Sequence, residues 1–199
     1  MKVIFLDFDG VITTPETKWN IGLVYVKRIK EICDKTEAKL VISSSWQRYG
    51  GTKNMSREER VDYWFQGILM KGYRGYIKKF FKDYTYDMSG RFYGEYGNVR
   101  GSDIKSWLVR HPEVTDYVII DDEGDMLDEQ LFHFVQTDWV FGIQDREVKL
   151  AIDVLNNKNP RNSHCLNDIL KFKFWISLGH GKVDNYKEIV EKYSPYKDK

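Results

Sequence analysis

The chain has 199 residues, enough for one domain with a sizeable core, or one domain plus a small appendage. Hydrophobic residues make up 42% and charged residues 31%, the composition of a soluble globular protein. Lysine and arginine total 31 against 30 acids, a net charge of +1, so bulk charge does not point to a nucleic-acid binder, although a local basic groove is compatible with it.

In chain order, Lys2 to Leu6 is a short apolar run ending in acids, which reads as a buried strand of a parallel sheet. It is too short for a signal peptide, and no apolar run approaches a membrane span. Ile21, Val24, Ile29 and Ile32 recur at helical spacing and predict an amphipathic helix from Ile21 to Cys33. Lys39 to Ile42 predicts a second buried strand, so the chain opens β-α-β, the unit of an α/β sheet. Ser56 to about Asp83 reads as helix in two pieces, with Ser56 and Glu59 as a capping box and Gly72 and Gly75 weakening the middle. Tyr84 to Val99 is rich in Gly and Tyr and predicts a short strand and an exposed loop. Then follow a helix over Ser102 to Val109, strands over Asp116 to Ile120 and Phe132 to Gln136, and a helix over Asp145 to Leu155.

Asn156 to Asn167 has a linker composition with Pro160, and two helices are expected beyond it, about Leu166 to Leu178 and Asn185 to Tyr193. The domain boundaries read as 1–156 for a catalytic unit and 157–199 for a linker and helical extension. Cys33 and Cys165 lie far apart without metal spacing and read as reduced structural thiols, which points to a cytoplasmic protein. His111, His133, His164 and His180 lack partners at catalytic spacing, and Gly179-His180-Gly181-Lys182 lacks the phosphate-loop pattern. The aromatics, 15% of the chain, read first as packing.

The strongest chemical signal is Asp7-Phe8-Asp9-Gly10 directly after the first strand. Residues two apart on a strand share a face, so both carboxylates can project into one site at the edge where open α/β sheets place ligands. Such a pair suits a nucleophile with an acid/base partner, and Gly10 allows a sharp backbone departure. A second acidic cluster, Asp121-Asp122-Glu123-Gly124-Asp125, also follows an apolar strand. Two unit charges 4 Å apart repel by roughly 4 kcal/mol at an effective dielectric of 20, so converging carboxylates need a cation. An all-oxygen donor set suits Mg²⁺ better than zinc. Ser43-Ser44-Ser45 ends the second strand and offers hydroxyls and backbone N–H groups to phosphate oxygens. Arg100, or Lys105 one turn later, offers a cation at the start of a helix.

This order of parts resembles the haloacid dehalogenase (HAD) superfamily over roughly residues 1–156. The Ser-Ser-Ser-Trp turn, Arg-Gly before a helix, Asp-Asp near a Met, and Val135-Gln136-Thr137-Asp138 resemble, more narrowly, the HAD domains of multi-domain RNA-repair proteins. Arg100 stands where that pattern usually has lysine, and the aromatic tail from Phe172 has no counterpart in it.

The resemblance implies a Rossmann-like core with a mostly parallel sheet flanked by helices, little or no cap, and Mg²⁺-dependent phosphatase activity. It implies that Asp7 attacks phosphorus and that Asp9 serves as acid and then base. Asp7, the Asp9 backbone carbonyl and Asp121 would hold the metal, with Asp122 or Asp125 near it. Ser43 or Ser44 and Arg100 would hold phosphoryl oxygens.

The first motif and the second strand are separated by room for a flap and one helix, and the longer gap from Trp46 to Val99 mostly reads as helix, so an open site is expected, which suits a large substrate such as a nucleic-acid end. A small phosphate metabolite or nucleotide is the alternative substrate. From other classes, a phospho-receiver or a non-catalytic nucleic-acid-binding module are the rivals. Asp-x-Asp on the first strand favours the phosphatase over both.

Overall fold

A computed structural model gives the architecture of residues 1–49, 55–67, 72–90 and 99–157. In chain order the elements are β1 (Lys2–Leu6), α1 (Leu23–Thr36), β2 (Lys39–Ile42), α2 (Arg57–Gln66), α3 (Gly75–Tyr84), β3 (Thr85–Met88), α4 (Arg100–Arg110), β4 (Asp116–Asp121), β5 (Phe134–Gln136) and α5 (Asp145–Leu155). Short 3-10 turns occupy Ser45–Tyr49 and Asp128–His133. The expected tail helices, and the linker from residue 158 onward, lie outside the described residues.

The strands form one sheet in the order β3-β2-β1-β4-β5, and every pairing is parallel. β1 is central because it is apolar on both faces. Ile4 and Leu6 point into the layer built on α1, α3 and α5, and Val3 and Phe5 into the layer beneath α4. Each fully buried side chain of this kind contributes about 1.5–3 kcal/mol. On the α4 side, Trp107 meets Phe5 edge-on with centroids 5.3 Å apart.

The capping box forms as the sequence implies. The Glu59 N–H donates to Ser56 Oγ (3.2 Å), and the Ser56 N–H donates to Glu59 Oε2 (2.7 Å). Helices α2 and α3 pack onto the sheet through Trp64, Phe80 and Phe81. Among the described residues, nothing between the motifs builds a separate cap. A fully buried carboxylate, Asp87 on β3, anchors this side. Arg60 of α2 donates to both its oxygens (2.8 and 2.9 Å), and Trp107 Nε1 donates at 3.0 Å. The turn after α5 closes back on the strands' starting edge, with Lys2 Nζ on Asn156 Oδ1 and Asn157 Nδ2 on Asp116 Oδ1, each 2.9 Å.

Three element starts differ from the sequence reading. Helix α1 begins at Leu23, because Ile21 is bridged to Thr13 and gives its N–H to Tyr73 Oη (2.9 Å). Its buried face is Tyr25, Val26, Ile29, Ile32 and Cys33, leaving Val24 exposed. Strand β5 begins at Phe134, since Phe132 is buried from within a 3-10 turn. Helix α4 begins two residues earlier than expected, at Arg100, because an acid from another loop caps it, as described next.

Candidate active site

Because β1 lies between β2 and β4, the turns that follow these strands meet at one point on the sheet's carboxyl edge. Asp7 extends β1, and its N–H donates to the Ile120 carbonyl at 3.0 Å. Ser43 extends β2 and donates to the Leu6 carbonyl at 2.9 Å. Asp121 closes β4. Register alone therefore brings three motifs together.

One carboxylate oxygen from each of Asp7, Asp121 and Asp122 lies within 4.8 Å of the others. Asp7 and Asp121 are buried and Asp122 is half-buried. Burial is the main reason that all three carboxyls are shifted upward, Asp7 to about 7 and Asp122 to about 6. Neighbouring acids add to the rise, Asp122 and Asp9 for Asp7, and Asp7 for Asp121.

Arg100 opposes this. Its Nε stands 2.8 Å from Asp121 Oδ2 and its Nη1 stands 3.3 Å from Asp7 Oδ1. Nη1 also donates to the Ser43 carbonyl. The paired acids hold Arg100 firmly protonated despite its burial. Charge distance is satisfied here but hydrogen-bond alignment is not. Asp7 Oδ1, Asp121 Oδ2 and Arg100 Nε are buried without a hydrogen-bond partner. Buried carboxylate oxygens without an aligned donor are costly. They fit a bound cation, for which Asp7, Asp121 and Asp122 offer an oxygen-only donor set.

Arg100 is placed by its helix terminus. Asp125 Oδ2 accepts its N–H at 2.9 Å, and the Asp125 carbonyl accepts the Gly101 N–H at 3.2 Å. Gly101 permits this contact, since a Cβ there would lie 2.4 Å from Gln130 Oε1 and 2.5 Å from the Leu127 nitrogen. Asp125 thus stands apart from the three-carboxylate group, as the cap of α4. Lys105, a turn further on, pairs with Glu129 at 2.6 Å.

Asp9 is held by two residues outside the acidic group. Thr13 Oγ1 donates to its Oδ1 at 2.8 Å, and Trp46 Nε1 stands 3.2 Å from each of its oxygens. The Ser44 hydroxyl lowers the pKa of the Asp7 carboxyl and accepts the Trp46 N–H at 3.3 Å, so one short turn after β2 serves both aspartates. Ser43 Oγ accepts from Ser89 Oγ at 3.4 Å, and Ser89 in turn reaches Gln47 Oε1 at 3.4 Å. Gly10 has φ +70° and presses against Asp122, where an added Cβ would lie 2.3 Å from the carboxylate carbon.

Sequence reasoning missed Thr13, Trp46 and the Gln47–Ser89 pair as supports. Trp46 stood in the Ser-Ser-Ser-Trp turn, but its partner is remote in sequence. For Thr13, a hydroxyl four residues beyond Asp9 in a Gly-containing turn was the available signal.

A family model described as the HAD domain in Swiss Army Knife RNA repair proteins matches residues 3–148. No curated protein and no solved structure matches the chain. The matched span runs from β1 into α5 and contains every strand of the sheet and every residue of the acidic site. The chain belongs to the HAD domain family of Swiss Army Knife RNA repair proteins.

Proposed function

We propose that this domain is a Mg²⁺-dependent phosphomonoester hydrolase that works through an aspartyl-phosphate on Asp7 and acts on phosphorylated polynucleotide ends. The observation that carries the reading is the meeting of Asp7, Asp121 and Asp122 around orphaned carboxylate oxygens, with Arg100 against them.

Asp7, Asp121 and Asp122 would hold the cation. When bound, Mg²⁺ neutralises their charge and lets an anionic phosphate approach an anionic nucleophile. Asp7 attacks phosphorus; the new Asp7 oxygen–phosphorus bond forms as the ester bond breaks. Asp9 delivers a proton to the departing alcohol oxygen. It then takes a proton from water as that water's oxygen attacks phosphorus, freeing phosphate and restoring both aspartates. Thr13 and Trp46 hold the Asp9 carboxylate for this transfer. Arg100 and the hydroxyls of Ser43 and Ser44 supply donors to the phosphoryl oxygens, and Asp125 fixes where Arg100 leaves its helix.

The substrate class rests on two supports: the family's description and the lack of a cap among the described residues. A panel of 3′- and 5′-phosphorylated oligonucleotides, nucleotides, sugar phosphates and phosphopeptides tests it. The oligonucleotides should be turned over with the highest kcat/KM. Preference for a sugar phosphate or nucleotide would replace this substrate with a small metabolite. No turnover of any ester with Mg²⁺ present would refute the enzyme reading.

A further inference from the structure

Two tryptophans outside the acidic cluster are half-exposed, on loops that follow β1 and β5. Trp19 is 49% exposed and Trp139 is 54% exposed. Their rings are nearly parallel, 5° apart in plane, with centroids separated by 6.4 Å. This lies at the loose end of the roughly 4.5–7 Å range in which aromatic pairs attract one another. Half-exposed and nearly parallel, the two indoles leave aromatic surface open to a third planar ring.

Both loops are built to hold these rings. Lys18 and Trp19 adopt left-handed backbone, with φ of 52° and 59°, a conformation that costs roughly 1–3 kcal/mol for a residue with a side chain. Bonds within the loop keep them there. The Trp19 N–H donates to the Thr14 carbonyl at 2.9 Å, Thr17 Oγ1 donates to the same carbonyl at 3.0 Å, and Asn20 Nδ2 donates to the Thr17 and Lys18 carbonyls at 3.1 Å each. On the facing loop, Asp138 accepts the Val140 N–H at 2.8 Å through its side chain and the Gly142 N–H at 2.7 Å through its carbonyl.

Both loops are also tied to the chain just after the aspartate pair. Thr137 Oγ1 donates to the Gly10 carbonyl at 2.8 Å, and the Ile143 N–H donates to the Val11 carbonyl at 2.9 Å. The Gly22 N–H donates to the Ile12 carbonyl at 2.8 Å. The indoles are therefore carried by loops anchored on Gly10, Val11 and Ile12, in the turn that directly follows Asp9.

We propose that Trp19 and Trp139 form a stacking clamp for an unpaired nucleobase next to the phosphorylated end, which rests on the reading that the site takes polynucleotide ends. Charge does little of the holding. The exposed ions of these loops are Lys18 against Glu16 and Asp138, so aromatic contact must carry the affinity. Association should then depend only weakly on salt, unlike binding through many phosphate contacts.

The test is fluorescence anisotropy of a dye-labelled, unphosphorylated single-stranded oligoadenylate with the full chain. Trp19→Ala and Trp139→Ala should each weaken binding about tenfold, in line with measured base-stacking losses. Trp19→Phe should restore part of it, and nitrophenyl phosphate turnover should stay unchanged in all three. Affinities within twofold of wild type in both alanine variants would overturn the clamp, as would no binding by wild type. If wild type self-associates in sedimentation and Trp139→Ala disperses it without changing oligoadenylate affinity, the patch is a protein contact and the clamp is wrong. Binding lost in the variants, together with no turnover of phosphorylated oligonucleotides by wild type, would support the clamp and remove the end-processing reading.

Discussion

The indole N–H of Trp46 is shared between the two carboxylate oxygens of Asp9, 3.2 Å from each. An N–H divided in this way orients a carboxylate without committing either oxygen. Trp46→Phe keeps an aromatic ring beside Phe8, whose centroid lies 5.1 Å from that of Trp46, and removes the donor together with the second ring of the indole. A hydrogen bond to a charged group contributes roughly 1.5–3 kcal/mol, so kcat should fall at least about tenfold with KM little changed. Steady-state kinetics on an alkyl phosphate would check this. A change confined to KM would assign Trp46 to substrate contact.

Asp9→Asn separates acid catalysis from positioning. General acid catalysis contributes about 10²–10⁴-fold, and most of it is dispensable when the leaving group departs as a stable anion. Single-turnover phosphorylation by an alkyl phosphate should fall within that range, and phosphorylation by nitrophenyl phosphate far less. Equal losses on both substrates would show that Asp9 places the loop or the metal and does not move the proton.

Gly10→Ala should damage the metal site through Asp122. The new methyl would sit 2.3 Å from the Asp122 carboxylate carbon, on a backbone at φ +70°. Strain of about 1–3 kcal/mol is expected for that backbone alone. Thermal unfolding should show the loss, and half-maximal activation should need more Mg²⁺. Adding Asp122→Ala removes the carboxylate contacts and a ligand but keeps the Asp122 Cβ, 2.7 Å from the new methyl, and the strained φ, so stability should recover only in part while activity stays low. Unchanged Mg²⁺ dependence in Gly10→Ala would disconnect Gly10 from the site.

Stability should depend on pH and metal together. Asp7 titrates near 7 and Asp122 near 6, both above the usual 3.8, chiefly through burial. The folded protein therefore binds protons more tightly than the unfolded chain between about pH 4 and 7. The sign follows: without divalent cation, these groups lower stability as pH rises through that window, and Tm should be lower at pH 8 than at pH 5. Mg²⁺ binds the ionised carboxylates, so it should stabilise more at pH 8. At about a hundredfold excess over Kd, a gain of roughly 2.7 kcal/mol corresponds to about 5–10 °C for a chain of this size. Calorimetry showing the same Mg²⁺ response at both pH values would contradict the metal assignment.

Much of the fold and the acid placement was legible because both follow from short-range rules. Apolar runs ending in acids gave β1 and β4, and parallel pairing then required Asp7 and Asp121 to meet. The start of α4 was missed because its cap, Asp125, comes from a different loop, and the N-cap residue itself, Val99, carries no capping side chain. Val24 was placed on the wrong face because Tyr25 and Val26, next to it, take the core positions. The Trp46–Asp9 contact joins residues 37 apart, so no periodicity could reveal it.

Trapping the phosphorylated protein tests Asp7 most directly. A labelled phosphate ester would be mixed with enzyme and Mg²⁺, quenched in acid within a turnover, and the label mapped by peptide mass. The result expected is acid-stable, hydroxylamine-labile label on Asp7 in wild type, more of it in Asp9→Asn, and none in Asp7→Asn, which should be folded but inactive. Label on another residue, or wild-type turnover by Asp7→Asn without label, would contradict the assignment of Asp7 as the nucleophile.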